Sequence, residues 1–136
     1  GLSLAAQISS SGLGIWIGNS LLILNTVPPI VLILAVATLI IFLTEITSNV
    51  TTTTTFLPVF GALAIAIGVL PVSLTVPVCL AASCAFMLPV ATPPNAIVYG
   101  SNKFTIATMM RAGFALNIIG ILVVTIFAYY FAPLIF

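Results

Sequence analysis

Residues 72–99 read VSLTVPVCLAASCAFMLPVATPPNAIVY, and this stretch decides the fold. It opens as an apolar run, Val72 to Val90, long enough to pass the middle of a bilayer, and it collapses at Ala91-Thr92-Pro93-Pro94-Asn95. Two consecutive prolines remove two backbone donors and clash with the preceding turn, so no helix passes this point unbroken. The chain turns apolar again over Ala96 to Tyr99, then polar and basic through Ser101, Asn102, Lys103 and Arg111. This is the pattern of a discontinuous helix, residues 72–106, with its break inside the membrane.

The remainder of the sequence fits that setting. Of 136 residues, 62% are hydrophobic and 2% charged, where a soluble domain has about a quarter charged; the mean hydropathy is +1.46. An ordinary cytosolic globule, a disordered chain and a basic nucleic-acid binder are excluded. What remains is an all-α integral membrane protein with the lipid bilayer as its main apolar solvent.

Upstream of the break, Val27 to Leu43 starts with two prolines, which suit a helix's first turn. Its 17 residues cover roughly 25 Å, short of the roughly 30 Å hydrocarbon core. A polar string follows, Thr44, Glu45, Thr47, Ser48, Asn49 and Thr51 to Thr55, and then a second short apolar run, Phe56 to Leu70, holding Pro58, Gly61 and Gly68. Two short arms around a polar tip predict a re-entrant hairpin over residues 27–70. A tip at membrane depth is tolerated only where protein or a water-filled cavity surrounds it. Downstream, Ala112 to Phe136 reads as a full span, interrupted only by Asn117 and small residues and ending near Tyr129 and Tyr130.

Residues 1–26 are mixed and read as a partial helix around Leu2 to Ser11 followed by an interfacial segment anchored by Trp16. Gly12-Leu13-Gly14 lacks the rest of a nucleotide fingerprint and reads as a turn. No basic region with a cleavage site follows Gly1, so no signal peptide is expected, and the chain reads as part of something longer. Lys103 and Arg111 both lie before the last span, which by the positive-inside tendency makes that loop cytoplasmic and puts the C-terminus outside.

The chemistry is narrowed by what is missing. There is one carboxylate, Glu45, and no histidine, so general acid–base catalysis lacks a titratable pair and an enzyme is not expected. Cys79 and Cys84, spaced C-x4-C in an apolar run, lack the partners of a zinc site and read as small packed thiols. A proton relay would use chains of Asp, Glu or His, whereas sodium needs only hard oxygens, which are plentiful here. A hairpin tip and a helix break at similar depth are what a transporter uses: half-helix N-termini for an anion, unwound carbonyls and helix C-termini for a cation. Ser48 and Asn49 precede the hairpin's second arm, and Asn95 precedes the second half of the broken helix, each where an N-cap would sit. Plain capping, threonine hydroxyls bonding back to their own helix and a simple proline kink are the structural alternatives. Glu45, ionisable in or near the membrane, is a functional candidate by default, as support for the site or as a direct ligand.

The stretch Ser83-Cys84-Ala85-Phe86-Met87-Leu88-Pro89-Val90-Ala91-Thr92-Pro93-Pro94-Asn95-Ala96-Ile97-Val98 resembles the signature of the divalent anion:sodium symporters, carriers of dicarboxylates, citrate and sulfate. Thr44-Glu45-Ile46-Thr47-Ser48-Asn49-Val50 resembles that family's second Ser-Asn-Thr hairpin motif. Met109-Met110-Arg111-Ala112-Gly113 with Leu116-Asn117-Ile118 resembles the start of its final helix. The likeness runs over nearly the whole chain in order and spacing. It implies the second inverted repeat of an ion-transporter-type fold, residues 27–136, in a sodium-coupled C4-dicarboxylate symporter (succinate, malate, fumarate) of the plasma or inner membrane. It further implies an elevator movement and a homodimer, with an N-terminal repeat supplying the other half of the site. By the same likeness Ser48, Asn49, Val50, Thr92 and Pro93 would bind the anion. Thr44, Thr47, Asn49 and Ala91 would surround a sodium ion, mostly through backbone oxygens, and Glu45, Pro94 and Asn95 would support the site. Val50 departs from the Ser-Asn-Thr pattern by lacking a hydroxyl, which weakens the choice of anion. Sodium:sulfate symport and a non-transporting membrane subunit are the rival readings.

Overall fold

The computed structural model describes residues 27–135, and every regular element among them is helical. The helix and interfacial anchor expected before residue 27 lie outside the described residues. The elements are α1 (Pro29–Thr44), α2 (Asn49–Ala66), α3 (Val72–Ala81), α4 (Pro93–Gly100), α5 (Ile106–Tyr130) and α6 (Ala132–Ile135).

Helix α1 begins with proline in its first turn, where the missing N–H is one the helix leaves unpaired anyway. Its buried face, Ile33, Val36, Ala37, Ile40 and Ile41, packs on α3 and α5. Helix α3 is central: Leu74, Val78 and Ala81 are buried, and α1, α2 and α5 all lie against it. By contrast α1 and α2 touch only lightly, although they are consecutive in the chain. The outer faces carry large apolar side chains such as Leu39, Ile65, Leu122, Val123 and Ile126. Two described helices, α2 and α5, are long and apolar enough to cross a membrane. At 1.5 Å per residue, the 25 residues of α5 rise about 38 Å, more than the hydrocarbon thickness.

Several boundaries differ from the sequence reading, each for an identifiable reason. Thr51 to Thr55, expected in the polar tip, are helical, so that only residues 45–48 join α1 to α2. Ser48 caps α2 by accepting from Thr51 N at 3.1 Å, and Thr54 Oγ1 donates back to Val50 O at 2.8 Å. Hydroxyls satisfied inside the helix do not end it. Pro58 is likewise absorbed without terminating α2. The last span starts at Ile106 rather than Ala112, because Thr105 accepts from Thr108 N at 3.2 Å and caps it there; Arg111 is therefore helical. The largest difference is in residues 72–106, expected as one discontinuous helix. Apolar continuity through Val90 suggests a helix that long, yet α3 stops at Ala81, and residues 82–92 form an irregular segment before α4.

Helix α2 ends in a Schellman motif: Val69 N donates to Ala64 O at 3.0 Å and Gly68 N to Ile65 O at 3.1 Å. Gly68 has φ +73, the left-handed region, while nothing would obstruct a Cβ there. Gly68→Ala is therefore expected to cost about 1 kcal/mol through backbone strain alone. A lowered thermal midpoint in detergent with unchanged oligomeric behaviour would register it.

Candidate functional site

The irregular segment 82–92 has backbone groups that need partners, and side chains distant in sequence supply them. Glu45 follows the last residue of α1 and is only 4% exposed. Its Oε1 accepts from Phe86 N (2.8 Å) and Met87 N (3.0 Å), and its Oε2 from Met87 N (3.2 Å) and Leu88 N (3.0 Å). Pro89 comes next and has no N–H to satisfy. The carboxylate also accepts from Asn117 Nδ2 of α5 at 2.7 Å. Asn95 holds the carbonyl side of the same segment, its Nδ2 donating to Ala85 O at 2.9 Å and Leu88 O at 3.0 Å. The third clamp is Thr44, fully buried, whose Oγ1 stands 3.0 Å from Ala82 O and 2.9 Å from Asn49 Oδ1.

These clamps put the two helix starts on one cavity of about 610 Å3, within the roughly 300–1,000 Å3 range of small-molecule sites. Ser48, Asn49 and Val50 line it from the start of α2, and Ala91, Thr92, Pro93, Pro94 and Asn95 from the start of α4. Ser83, Ala85 and Phe86 complete the wall. Among these lining residues there is no lysine, arginine or carboxylate. The cavity thus gathers all five residues expected at the anion together with Ala91, Pro94 and Asn95. Thr44, Thr47 and Glu45 are not among its lining residues; Thr44 and Glu45 bond to Asn49 and Phe86, which are. Thr47 Oγ1 is turned back on its own segment, donating to Leu43 O at 2.9 Å and meeting Thr52 Oγ1 at 2.6 Å.

The two helix starts are chemically unequal. The first N–H groups of α2, at Asn49 and Val50, have no intrahelical acceptor and carry the positive end of the peptide dipoles. At α4 the expectation of free N–H groups and an Asn95 cap fails. Pro93 and Pro94 occupy its first two positions and have no N–H, and Thr92 is the cap, its Oγ1 accepting from Asn95 N at 3.4 Å. Asn95 is the third helical residue, its side chain committed to carbonyls. Donors left for an anion are therefore the α2 backbone, the Thr92 hydroxyl proton and Asn49 Nδ2. Asn49 Oδ1 faces Thr44, and its Nδ2 has no partner among the described residues. Val50, 73% exposed, offers only methyl groups to the cavity.

Thr44 Oγ1, Asn49 Oδ1 and Ala82 O form a tight knot of oxygens at the back of this wall. A hydroxyl has one proton, so it serves one of the two acceptors at a time and leaves the other with unspent lone pairs. A knot of neutral hard oxygens suits an alkali or alkaline-earth cation. No cluster of three or more His, Cys, Asp or Glu exists among the described residues, so transition-metal chemistry has no ligand set here. The Ala82 carbonyl, Ser83, Phe86 and Asn117 were not singled out as site residues from sequence. The lone Asn117 in an apolar span was the one available signal.

A family model described as the sodium:sulfate symporter transmembrane region matches residues 1–136. The chain belongs to this family. It is accordingly an integral membrane protein, and the family's activity is transport. The sodium-dependent dicarboxylate transporter SdcS of Staphylococcus saprophyticus is 46% identical over 133 residues, covering 98% of this chain. SdcS of Staphylococcus aureus (strain MRSA252) is 45% identical over 135 residues, covering 99% of it. The chain spans about a quarter of the length of these curated relatives, 26% in each case.

Proposed function

We propose that this symporter-family chain is the second, C-terminal repeat of a sodium-coupled C4-dicarboxylate symporter. In this reading α1 and α2 are the arms of a re-entrant hairpin, and α3 and α4 the halves of a discontinuous transmembrane helix. The observation that carries the proposal is the meeting of the α2 and α4 starts on one uncharged cavity with the Thr44–Asn49–Ala82 oxygen knot behind it. An anion there is neutralised by dipole ends and amide donors rather than by arginine, so its affinity depends on a cation bound close by. That dependence is sodium coupling in physical terms. One carboxylate of the substrate takes the Asn49 and Val50 N–H groups, Asn49 Nδ2 and the Thr92 hydroxyl. Sodium takes the oxygen knot with backbone oxygens near Thr47 and Ala91. The names of the relatives favour dicarboxylate over sulfate as cargo.

In the full transporter this repeat pairs with an N-terminal repeat that completes the site, works by an elevator movement, and forms a homodimer in the plasma or inner membrane with its C-terminus outside. The test is succinate uptake into proteoliposomes by the full-length protein, under an inward sodium gradient and then a matched potassium gradient. Sodium-driven uptake that excess sulfate leaves unchanged is the expected result. Strong sulfate competition would reassign the cargo, and uptake equal in potassium would remove the coupling. Within this scheme Thr44→Val, which keeps shape and removes the hydroxyl, is expected to raise the sodium concentration for half-maximal uptake about tenfold, a loss near 1.4 kcal/mol. A sodium titration at saturating succinate measures it.

A further inference from the structure

We infer that Asn117 is a positioning residue of the candidate site, acting from α5 through the Glu45 carboxylate on the backbone of residues 86–88. The inference rests on the transport reading above. Helix α5 contributes nothing to the wall of the cavity, yet it meets the irregular segment at close quarters one turn apart. At Gly113 an added Cβ would overlap the Phe86 carbonyl oxygen and stand 2.5 Å from Met87 Cα, so the α5 backbone lies directly against the Phe86–Met87 peptide. Four residues on, Asn117 is completely buried and its Nδ2 donates at 2.7 Å to Glu45 Oε1. That same oxygen accepts from Phe86 N and Met87 N. Asn117 is the one side-chain donor to the carboxylate among the described residues; every other bond to it comes from the segment's own backbone.

The geometry therefore makes Glu45 a hinge pin held from three sides: by the end of α1, by the segment and by α5. Without Asn117 the carboxylate is fixed only by its own short side chain and by the segment it is meant to hold. The segment then shifts relative to Thr44 and Asn49, and Ala82 O leaves the oxygen knot. An apolar span tolerates such a residue because its amide donates to a buried acceptor-only group, a strong pairing in a medium of low dielectric. Its Oδ1 is buried without a partner, so the residue retains an unsatisfied acceptor while its amide holds the carboxylate.

The test uses the full-length protein in proteoliposomes, with uptake normalised to protein content. Asn117→Ala is expected to raise the sodium half-saturation about tenfold, the effect of losing one hydrogen bond to a charged group, with the protein still present and correctly sized in detergent. Wild-type sodium half-saturation in a variant that accumulates normally would overturn the inference, because a merely structural role lowers the amount of protein and leaves per-molecule coupling intact. If Asn117→Ala does not accumulate, Asn117→Ser is titrated the same way. A raised half-saturation in it supports the inference, while an unchanged value or a second failure to accumulate overturns it. Loss of sodium-driven uptake in the unmutated protein would instead refute the transport reading itself.

Discussion

Under the proposed symporter reading, replacing Glu45 by glutamine is expected to lower sodium-driven uptake by the full-length protein at least tenfold at equal protein, although the two side chains have the same shape. The carboxylate accepts at every one of its contacts: three consecutive backbone N–H groups and the Asn117 amide. A carboxamide turns one of the two oxygens into a donor pair, so whichever way it lies, at least one backbone N–H faces another donor. Leaving a buried donor unsatisfied beside a formerly charged acceptor costs about 3 kcal/mol. The segment that forms the cavity wall at Phe86 is then free to move, or to continue α3 as its local sequence prefers. Uptake and thermal midpoint both equal to those of the parent protein would show that the carboxylate does not hold the segment. Glu45→Asp, one methylene shorter, is expected to fall between the two.

The complementary substitution is Asn95→Asp, and its expected effect is of the same size. Asn95 Nδ2 serves two carbonyl oxygens, those of Ala85 and Leu88. An aspartate presents oxygen to oxygen at both, with an uncompensated charge in a site that has no lysine or arginine on its wall. The expected cost is about 3 kcal/mol or more, seen as a large fall in thermal midpoint together with loss of uptake. Asn95→Ala removes the donors without adding repulsion and should be milder on both measurements. Equal damage from the two would mean that only the lost bonds matter.

Much of this molecule is legible in its sequence because the bilayer imposes strong rules on a chain with so few charges. Prolines at 28 and 29 place the start of α1, since only the first turn of a helix has no use for their N–H groups, and prolines at 93 and 94 place the break, although α4 starts at Pro93 and not after an Asn95 cap. Ser48 before an apolar arm places the start of α2. Those local signals bring Ser48, Asn49, Thr92 and Asn95 into view, the family resemblance adds Val50 and Pro93, and all six line one cavity.

Where α3 ends was not legible. Nothing in Ala82-Ser83-Cys84-Ala85-Phe86-Met87-Leu88 forbids a helix, and the apolar run alone argues for continuing one. Ser83 N and Cys84 N turn to Leu80 O and Ala81 O, three residues back, and the Phe86, Met87 and Leu88 N–H groups that would carry the helix on are held instead by a carboxylate some forty residues away in the chain. The same holds for Asn95, which sequence places at a cap and the tertiary structure turns toward Ala85 and Leu88, and for the Ala82 carbonyl, which joins the site only through Thr44. Local sequence thus determined that helices begin near Pro29, near Ser48 and at the 91–95 break, because a beginning depends on donors and caps within a few residues; it did not single out Thr92 over Asn95 as the cap of α4, or Thr105 as the cap of α5. Where α3 ends, and which oxygens face one another across residues 82–92, was decided by partners that meet only once the helices have packed.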